Sequence, residues 1–148
     1  MNIAKGNALK VVIDTNIWVS TFIKPQGFYA HVVSTIVEKA ELITSEEILA
    51  EVRGVVLRKR IREKYQLAES DIDRLLEKIR IQTTQVTDLP ALNVVVDDPD
   101  DDIILATAIK AKADYLLSYD PHLLYWDGYQ GLPILTPKQF IPILAGQL

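Results

Sequence analysis

The sequence has no cysteine and only two histidines, His31 and His122. Without cysteine, the chain forms no disulfide, no zinc–thiolate site and no thiol nucleophile. Two histidines also argue against a metal site built mainly from imidazoles. Any metal would therefore be held mainly by carboxylates, whose oxygen atoms favour Mg²⁺, Mn²⁺ or Ca²⁺.

Long apolar runs and an excess of positive charge are also missing. No stretch approaches the ~20 apolar residues of a membrane span, and residues 1–10 lack the apolar core of a signal peptide. We therefore expect a cytoplasmic protein without membrane association. The balance of 16 basic against 20 acidic residues gives no overall signature of nucleic-acid binding. A hydrophobic share of 49% over 148 residues is consistent with a single domain spanning residues 1–148.

Apolar runs typical of buried strands alternate with segments of helical periodicity. The strand-like runs are residues 11–13, 42–44, 83–87, 94–96, 115–118 and 133–135. The helical segments are residues 28–39, 46–58, 70–81 and 99–112, with a further capped helix from residue 136. This alternation predicts one α/β domain with a mainly parallel sheet.

Polar side chains follow two of the predicted strands. Asp14 comes directly after the first strand, with Asn16 close behind, and Ser118 and Asp120 end the strand near residue 115. In open α/β sheets, ligands bind outside the carboxyl ends of the strands. We therefore expect Asp14 and Asp120 to meet at one edge of the sheet, with Asn16 and Ser118 as supporting polar groups.

Two predicted helices contribute further acids. Glu51 lies at the edge of the apolar stripe of the 46–58 helix, and Glu47, one turn earlier, is an alternative to it. In the aspartate run of residues 97–102, Asp98 is predicted to cap a helix that begins at Pro99.

The aspartates after this cap differ in helical phase. Asp101 is in phase with Ile104 and Leu105 and should face the core, where an unpaired charge is costly. Asp102 is displaced by about 100° and should reach solvent more easily. We favour Asp101 as the functional acid, with Asp98 and Asp102 as alternatives.

Carboxylates brought together at one edge would repel one another. The pKa of at least one of them must then rise, unless a cation joins the group. A divalent cation relieves this repulsion, activates water and offsets charge on a phosphoryl oxygen. The sequence therefore indicates metal-assisted chemistry on a phosphate ester.

Several segments in order resemble the PIN-domain ribonucleases, specifically their prokaryotic toxin-like branch related to VapC toxins. The matching segments are VIDTN around Asp14, TSEEILAE ending at Glu51, DPDDDIILATA from Asp98, ADYLLSYDPHLL around Asp120, and PILTPKQF near the end. The resemblance implies a three-layer α/β/α fold with a mainly parallel sheet of four or five strands. It also implies an RNA nuclease dependent on Mg²⁺ or Mn²⁺, often a homodimer, that a cognate antitoxin silences.

The resemblance maps the family's acidic site onto Asp14, Glu51, Asp101 and Asp120, with Asn16 and Ser118 in supporting positions. We hypothesise that Asp14, Asp101 and Asp120 hold the metal, and that Glu51 is a further ligand or orients water. The candidates for contact with the RNA backbone are Arg53, Arg58, Lys59 and Arg60. The alternative is a non-catalytic PIN-like module that binds RNA or a protein.

Overall fold

Five parallel strands form one sheet in a computed structural model that describes residues 8–95 and 98–146. The strands are β1 (Lys10–Ile13), β2 (Glu41–Thr44), β3 (Thr84–Gln85), β4 (Tyr115–Leu117) and β5 (Ile134–Leu135). Their order across the sheet is β3-β2-β1-β4-β5. Every neighbouring pair is parallel, which confirms the predicted α/β class and the mainly parallel sheet of four or five strands.

Helices connect the strands and flank the sheet. They are α1 (Thr15–Ile23), α2 (Phe28–Lys39), α3 (Glu46–Val56), α4 (Lys59–Lys64), α5 (Glu69–Gln82), α6 (Pro99–Ala111), α7 (Pro121–Leu124) and α8 (Pro137–Ala145), with a 3₁₀ turn at Tyr129–Gly131. The central strand β1 is buried on both faces, as its continuous apolar run predicts. None of the helices in the part of the chain that the structure describes is both long and apolar enough to cross a bilayer.

Side-chain caps fix the starts of the helices that leave the carboxyl edge of the sheet. Asp14 caps α1, Ser45 caps α3, Asp98 caps α6 and Asp120 caps α7, each by accepting a backbone N–H of the first turn. The predicted pair of Asp98 as cap and proline at the first helical position is confirmed. Two of the candidate functional acids, Asp14 and Asp120, therefore also hold local structure.

The helix predicted for residues 46–58 ends earlier than expected. Its last residue is Val56, and Leu57 closes it. Arg58 has φ −55° and ψ 132°, which is not helical, and it precedes the short helix α4. Arg58 therefore does not continue the helix that carries Glu51.

The strand expected at residues 94–96 is wrong for Val94 and Val95, and Val96 lies outside the described residues. The backbone N–H groups of Val94 and Val95 donate to Oδ1 of Asp102, at 3.0 and 2.9 Å, and form no ladder with another strand. A carboxylate on α6 thus replaces the strand partner that these N–H groups would otherwise need.

Asp102 is therefore a buried structural acid, and the expectation that it reaches solvent is wrong. Its exposed fraction is 8%, close to the 6% of Asp101. Helical phase alone could not show this, because the groups that cover Asp102 come from a loop that precedes the helix.

Asp102→Ala is expected to lower the free energy of unfolding by about 2 kcal/mol, because it leaves two backbone N–H groups without an acceptor. Asp102→Asn keeps an oxygen acceptor at the same place and should cost clearly less. Urea denaturation of both variants measures the difference. An Asp102→Ala protein as stable as the wild type would contradict this role.

Candidate active site

Asp14 occupies the carboxyl end of the central strand and is almost fully buried, with an exposed fraction of 2%. Its Oδ1 accepts from the backbone N–H groups of Asn16 at 2.6 Å and Ile17 at 3.2 Å. Its Oδ2 accepts from the hydroxyl of Ser118. Burial raises the pKa of Asp14, and these donors oppose that rise. The carboxylate is thus held in one orientation from both sides.

Ser118 joins the ends of the two central strands. Besides donating to Asp14, its hydroxyl oxygen accepts from the backbone N–H of Asp120 at 3.0 Å. The backbone N–H of Asp14 donates to the carbonyl of Leu117 at 3.0 Å, which extends the pairing of β1 with β4. Asp14 and Asp120 therefore lie at the same edge of the sheet, as the sequence predicts.

Asp101 extends from the first turn of α6 into the same region. Burial, followed by the negative charges of Asp98, Asp120 and Asp14, raises its pKa to about 7. Its Oδ2 atom is buried and has no hydrogen-bond partner among the described residues. Such an atom carries a desolvation cost that no hydrogen bond from the described residues offsets. The predicted position of Asp101 on the buried face is confirmed.

Glu51 is half-buried on α3, at the edge of the apolar stripe as predicted. Burial raises its pKa to about 7, helped by the negative charges of Asp100 and Asp98, while the Thr15 hydroxyl donates to its Oε2 at 3.2 Å and opposes the rise. Asp100, which the sequence did not single out, is therefore part of its surroundings. Its signal was its place in the aspartate run.

A buried hydrogen bond brings Glu51 towards α6. The hydroxyls of Ser45, at the start of α3, and Thr107, on α6, lie 2.9 Å apart. This bond joins the two helices that carry Glu51 and Asp101. No local pattern predicts this bond, because the residues are 62 positions apart.

Glu47 and Asp102, the alternatives to Glu51 and Asp101, lie elsewhere. Both line a separate groove against the loop of residues 89–95. Asp98, the third alternative, influences Asp101 and Glu51 alike through its charge. Charge interactions thus define two acid groups that share Asp98: Asp14, Asp101 and Asp120 form one with it, and Glu51 and Asp100 form the other.

Asn16 supports Asp14 through its backbone. Its backbone N–H, rather than its amide, contacts the carboxylate. The side chain of Asn16 is exposed and makes no hydrogen bond with any described residue. It is free to contact a ligand.

The acid groups offer the oxygen ligands that a divalent cation prefers, but their side chains are not arranged as a preformed cation site. Carboxylate oxygens are the ligands that Mg²⁺ and Mn²⁺ prefer, and the partnerless Oδ2 of Asp101 is an oxygen of this kind. Within residues 8–95 and 98–146, however, no three acidic, histidine or cysteine side chains converge closely enough to form a cation site. Asp97 lies outside the described residues.

The basic candidates differ in their surroundings. Arg53 donates to Asp73 and Glu69, which both lie on α5, each at 2.8 Å. It therefore helps to join α3 to α5. Arg58, Lys59 and Arg60 are exposed, and none of them forms an ion pair with a described residue. These three retain their charge for an external partner.

Comparison with known proteins adds a family and a fold. Residues 10–122 match the family described as the PIN domain. A chain in the crystal structure of VapBC2 from Rickettsia felis, bound to a DNA fragment from their promoter, superposes with a TM-score of 0.58 at 20% identity. The match covers 85% of this chain and 97% of that chain, and at this identity it is a likeness of fold. No curated protein matches the sequence significantly.

Proposed function

Because the chain belongs to the PIN domain family, whose members are generally nucleases, we propose that it is a divalent-metal-dependent ribonuclease. Its acid groups at the carboxyl edge of the sheet would hydrolyse RNA phosphodiester bonds. The observation that carries the proposal is Asp101, a buried acid with a pKa raised to about 7 and a partnerless oxygen beside Asp14 and Asp120. A bound cation would supply the missing partner.

Asp14, Asp101 and Asp120 would hold Mg²⁺ or Mn²⁺. When bound, such a cation lowers the pKa of water and offsets negative charge on the phosphoryl group. Ser118 and the backbone N–H of Asn16 fix the Asp14 carboxylate before the substrate arrives, so that little reorganisation is needed at the reaction step.

Glu51 is suited to move a proton. A carboxyl with a pKa of about 7 is matched to accepting and returning a proton near neutral pH. The Thr15 hydroxyl holds Oε2 and so orients the carboxyl group towards an attacking water. In this proposal Glu51 orients and deprotonates that water, or serves as a further metal ligand.

We place the RNA backbone against the exposed cations Arg58, Lys59 and Arg60, because no acid in the described part of the chain forms an ion pair with them. Arg53 was the fourth candidate, but its role in joining α3 to α5 makes it the weakest.

We further propose that the chain is the toxin of a toxin–antitoxin pair, acting in the cytoplasm as a homodimer of single-domain chains. The likeness of fold to a chain of the VapBC2 structure supports this. An acidic edge with several raised pKa values is also a natural target for a basic side chain of an antitoxin, which would offset the repulsion as a cation does.

Titration calorimetry with Mn²⁺ separates this proposal from a non-catalytic RNA- or protein-binding module. We expect saturable Mn²⁺ binding by the wild-type protein, and its loss in Asp101→Asn, because that variant lacks the partnerless carboxylate oxygen. Asp102→Asn is the matched control and should bind Mn²⁺ like the wild type, since Asp102 lines a different groove. Absence of Mn²⁺ binding, with RNA affinity unchanged after alanine replaces all four candidate acids, would favour the non-catalytic module.

A further inference from the structure

An open groove with aromatic side chains lies next to the acid groups. It has a volume of about 480 Å³, and Asp98, His122, Tyr125 and Trp126 line it together with Val94 and Val95. A groove of this size lies within the range of small-molecule sites, roughly 300–1,000 Å³. Asp98 also raises the pKa of Asp101 by its charge. Because Asp98 lines the groove and is also one of the acids, the groove adjoins the acid groups.

The short helix α7 builds the outer wall of this groove. Asp120 caps α7 by accepting from the backbone N–H of His122 at 2.9 Å, and the ring Nδ1 of His122 lies 3.4 Å from Asp120 Oδ1. The His122 side chain is 86% exposed. A ligand held at Asp120 would thus meet the imidazole ring next, and then the aromatic pair at the end of the helix.

Tyr125 is the most exposed large hydrophobic residue in the described part of the chain, with an exposed fraction of 80%. Its ring meets the ring of Trp126 edge-on, with centroids 5.4 Å apart and planes at 84°. Trp126 in turn is braced edge-on by Tyr129 at 6.2 Å. Trp126 is partly buried and is held by its contact with Tyr129. The Tyr125 ring therefore packs against a fixed side chain, while its exposed face is open to a ligand.

We infer that this groove stacks an unpaired base of single-stranded RNA next to the scissile phosphate. The inference rests on the proposed nuclease function and adds to it a base-binding subsite formed by Tyr125 and Trp126. Every base has a flat face that stacks on an aromatic ring, and bases in single strands are free to do so. Asp98 in the groove and Asp120 beside His122 make this end of the groove acidic. Their charges disfavour a second phosphate there but admit an uncharged base.

Binding of a short RNA in the presence of a chelator tests this inference without cleavage. Tyr125→Ala is expected to weaken the binding of a single-stranded 10-nucleotide RNA by roughly 5- to 100-fold, the usual effect of removing one stacked ring. Tyr125→Phe keeps the ring and should bind like the wild type. Ile81→Ala, a matched control at an exposed apolar residue on α5, should also leave the affinity unchanged. The same RNA annealed into a duplex should show no dependence on Tyr125.

Tryptophan fluorescence gives an independent readout. The chain has two tryptophans; Trp18 is buried in α1, and Trp126 lines the groove. Single-stranded RNA should quench the emission of the wild type, and Trp126→Phe should remove that quenching. Asp101→Asn, which is expected not to cleave, should retain it.

The outcomes separate this inference from the proposed nuclease function. Quenching that depends on Tyr125 in a protein that never cleaves RNA would support the base site and contradict the nuclease. Cleavage by the wild type, with Tyr125→Ala binding RNA equally well, would support the nuclease and overturn the base site. The latter result is also expected if the groove takes a protein segment instead. No saturable RNA binding by the wild type, in chelator or with Ca²⁺, would overturn the base site as well.

Discussion

Asp101→Asn is expected to reduce metal-dependent RNA cleavage by at least about 100-fold, while the fold stays intact. The amide has the shape of the carboxyl but carries no charge, so it cannot offset the charge of a cation. Asp101 is buried beside Asp14 and Asp120 and has no hydrogen-bond partner for Oδ2 among the described residues. The substitution therefore breaks no hydrogen bond at Oδ2. Asp14→Asn should have a similar effect, measured by the rate of cleavage of a labelled RNA.

The adjacent residue provides the matched control. Asp102→Asn makes the same aspartate-to-asparagine change at the next residue, which is buried to nearly the same extent. Its remaining oxygen can still accept from Val94 and Val95, so cleavage should be close to that of the wild type. Wild-type cleavage by Asp101→Asn, or an equal loss in Asp102→Asn, would contradict the assignment of Asp101.

The second large effect concerns stability. In the absence of metal, the free energy of unfolding is expected to fall as the pH rises from about 5 to about 8. The pKa values of Asp101 and Glu51 are about 7 in the folded protein, against model values of 3.8 and 4.5. Between these limits the folded state holds protons that the unfolded state has released. Stability is therefore lost as the pH rises through that window, and is level above it.

The expected loss is about 1–2 kcal/mol, after allowance for solvent screening of these partly accessible groups. The acids with lowered pKa values, Glu46 and Asp73, act at lower pH and do not oppose the trend in this window. Urea denaturation in chelator at several pH values measures it. Asp101→Asn should make the free energy of unfolding depend less on pH. Saturating Mn²⁺ should reverse the dependence, so that stability rises with pH. A metal-free wild-type protein that gains stability from pH 5 to pH 8 would contradict the account.

Features that depend on local chemistry could be predicted from the sequence. The cap at Asp98 followed by Pro99 needs only neighbouring residues, and the structure confirms it. The continuous apolar run of β1 predicts a strand buried on both faces, which in turn places Asp14 at the carboxyl edge. The helical phase of Asp101 was sufficient to predict its burial, because that follows from the residues one turn along the same helix.

Features that depend on residues far apart in the chain could not be predicted from the sequence. Asp102 is covered by backbone N–H groups from residues 94 and 95, so its phase in the helix gave the wrong environment. Arg53 pairs with acids 16 and 20 positions away, which no local pattern reveals. The surroundings of Glu51 also depend on how α3 packs on α6 through the Ser45–Thr107 bond. For that reason Asp100 was missed.

The most direct test of the central claim is cleavage of single-stranded RNA by the purified wild-type protein with Mg²⁺, Mn²⁺ or a chelator. The account predicts cleavage with either ion, none in the chelator, and restoration when the ion is added back in excess. The Asp101→Asn protein, purified in the same way, excludes a contaminating nuclease. Cleavage that persists unchanged in the chelator, or no cleavage of any RNA with either ion, would contradict a metal-dependent ribonuclease.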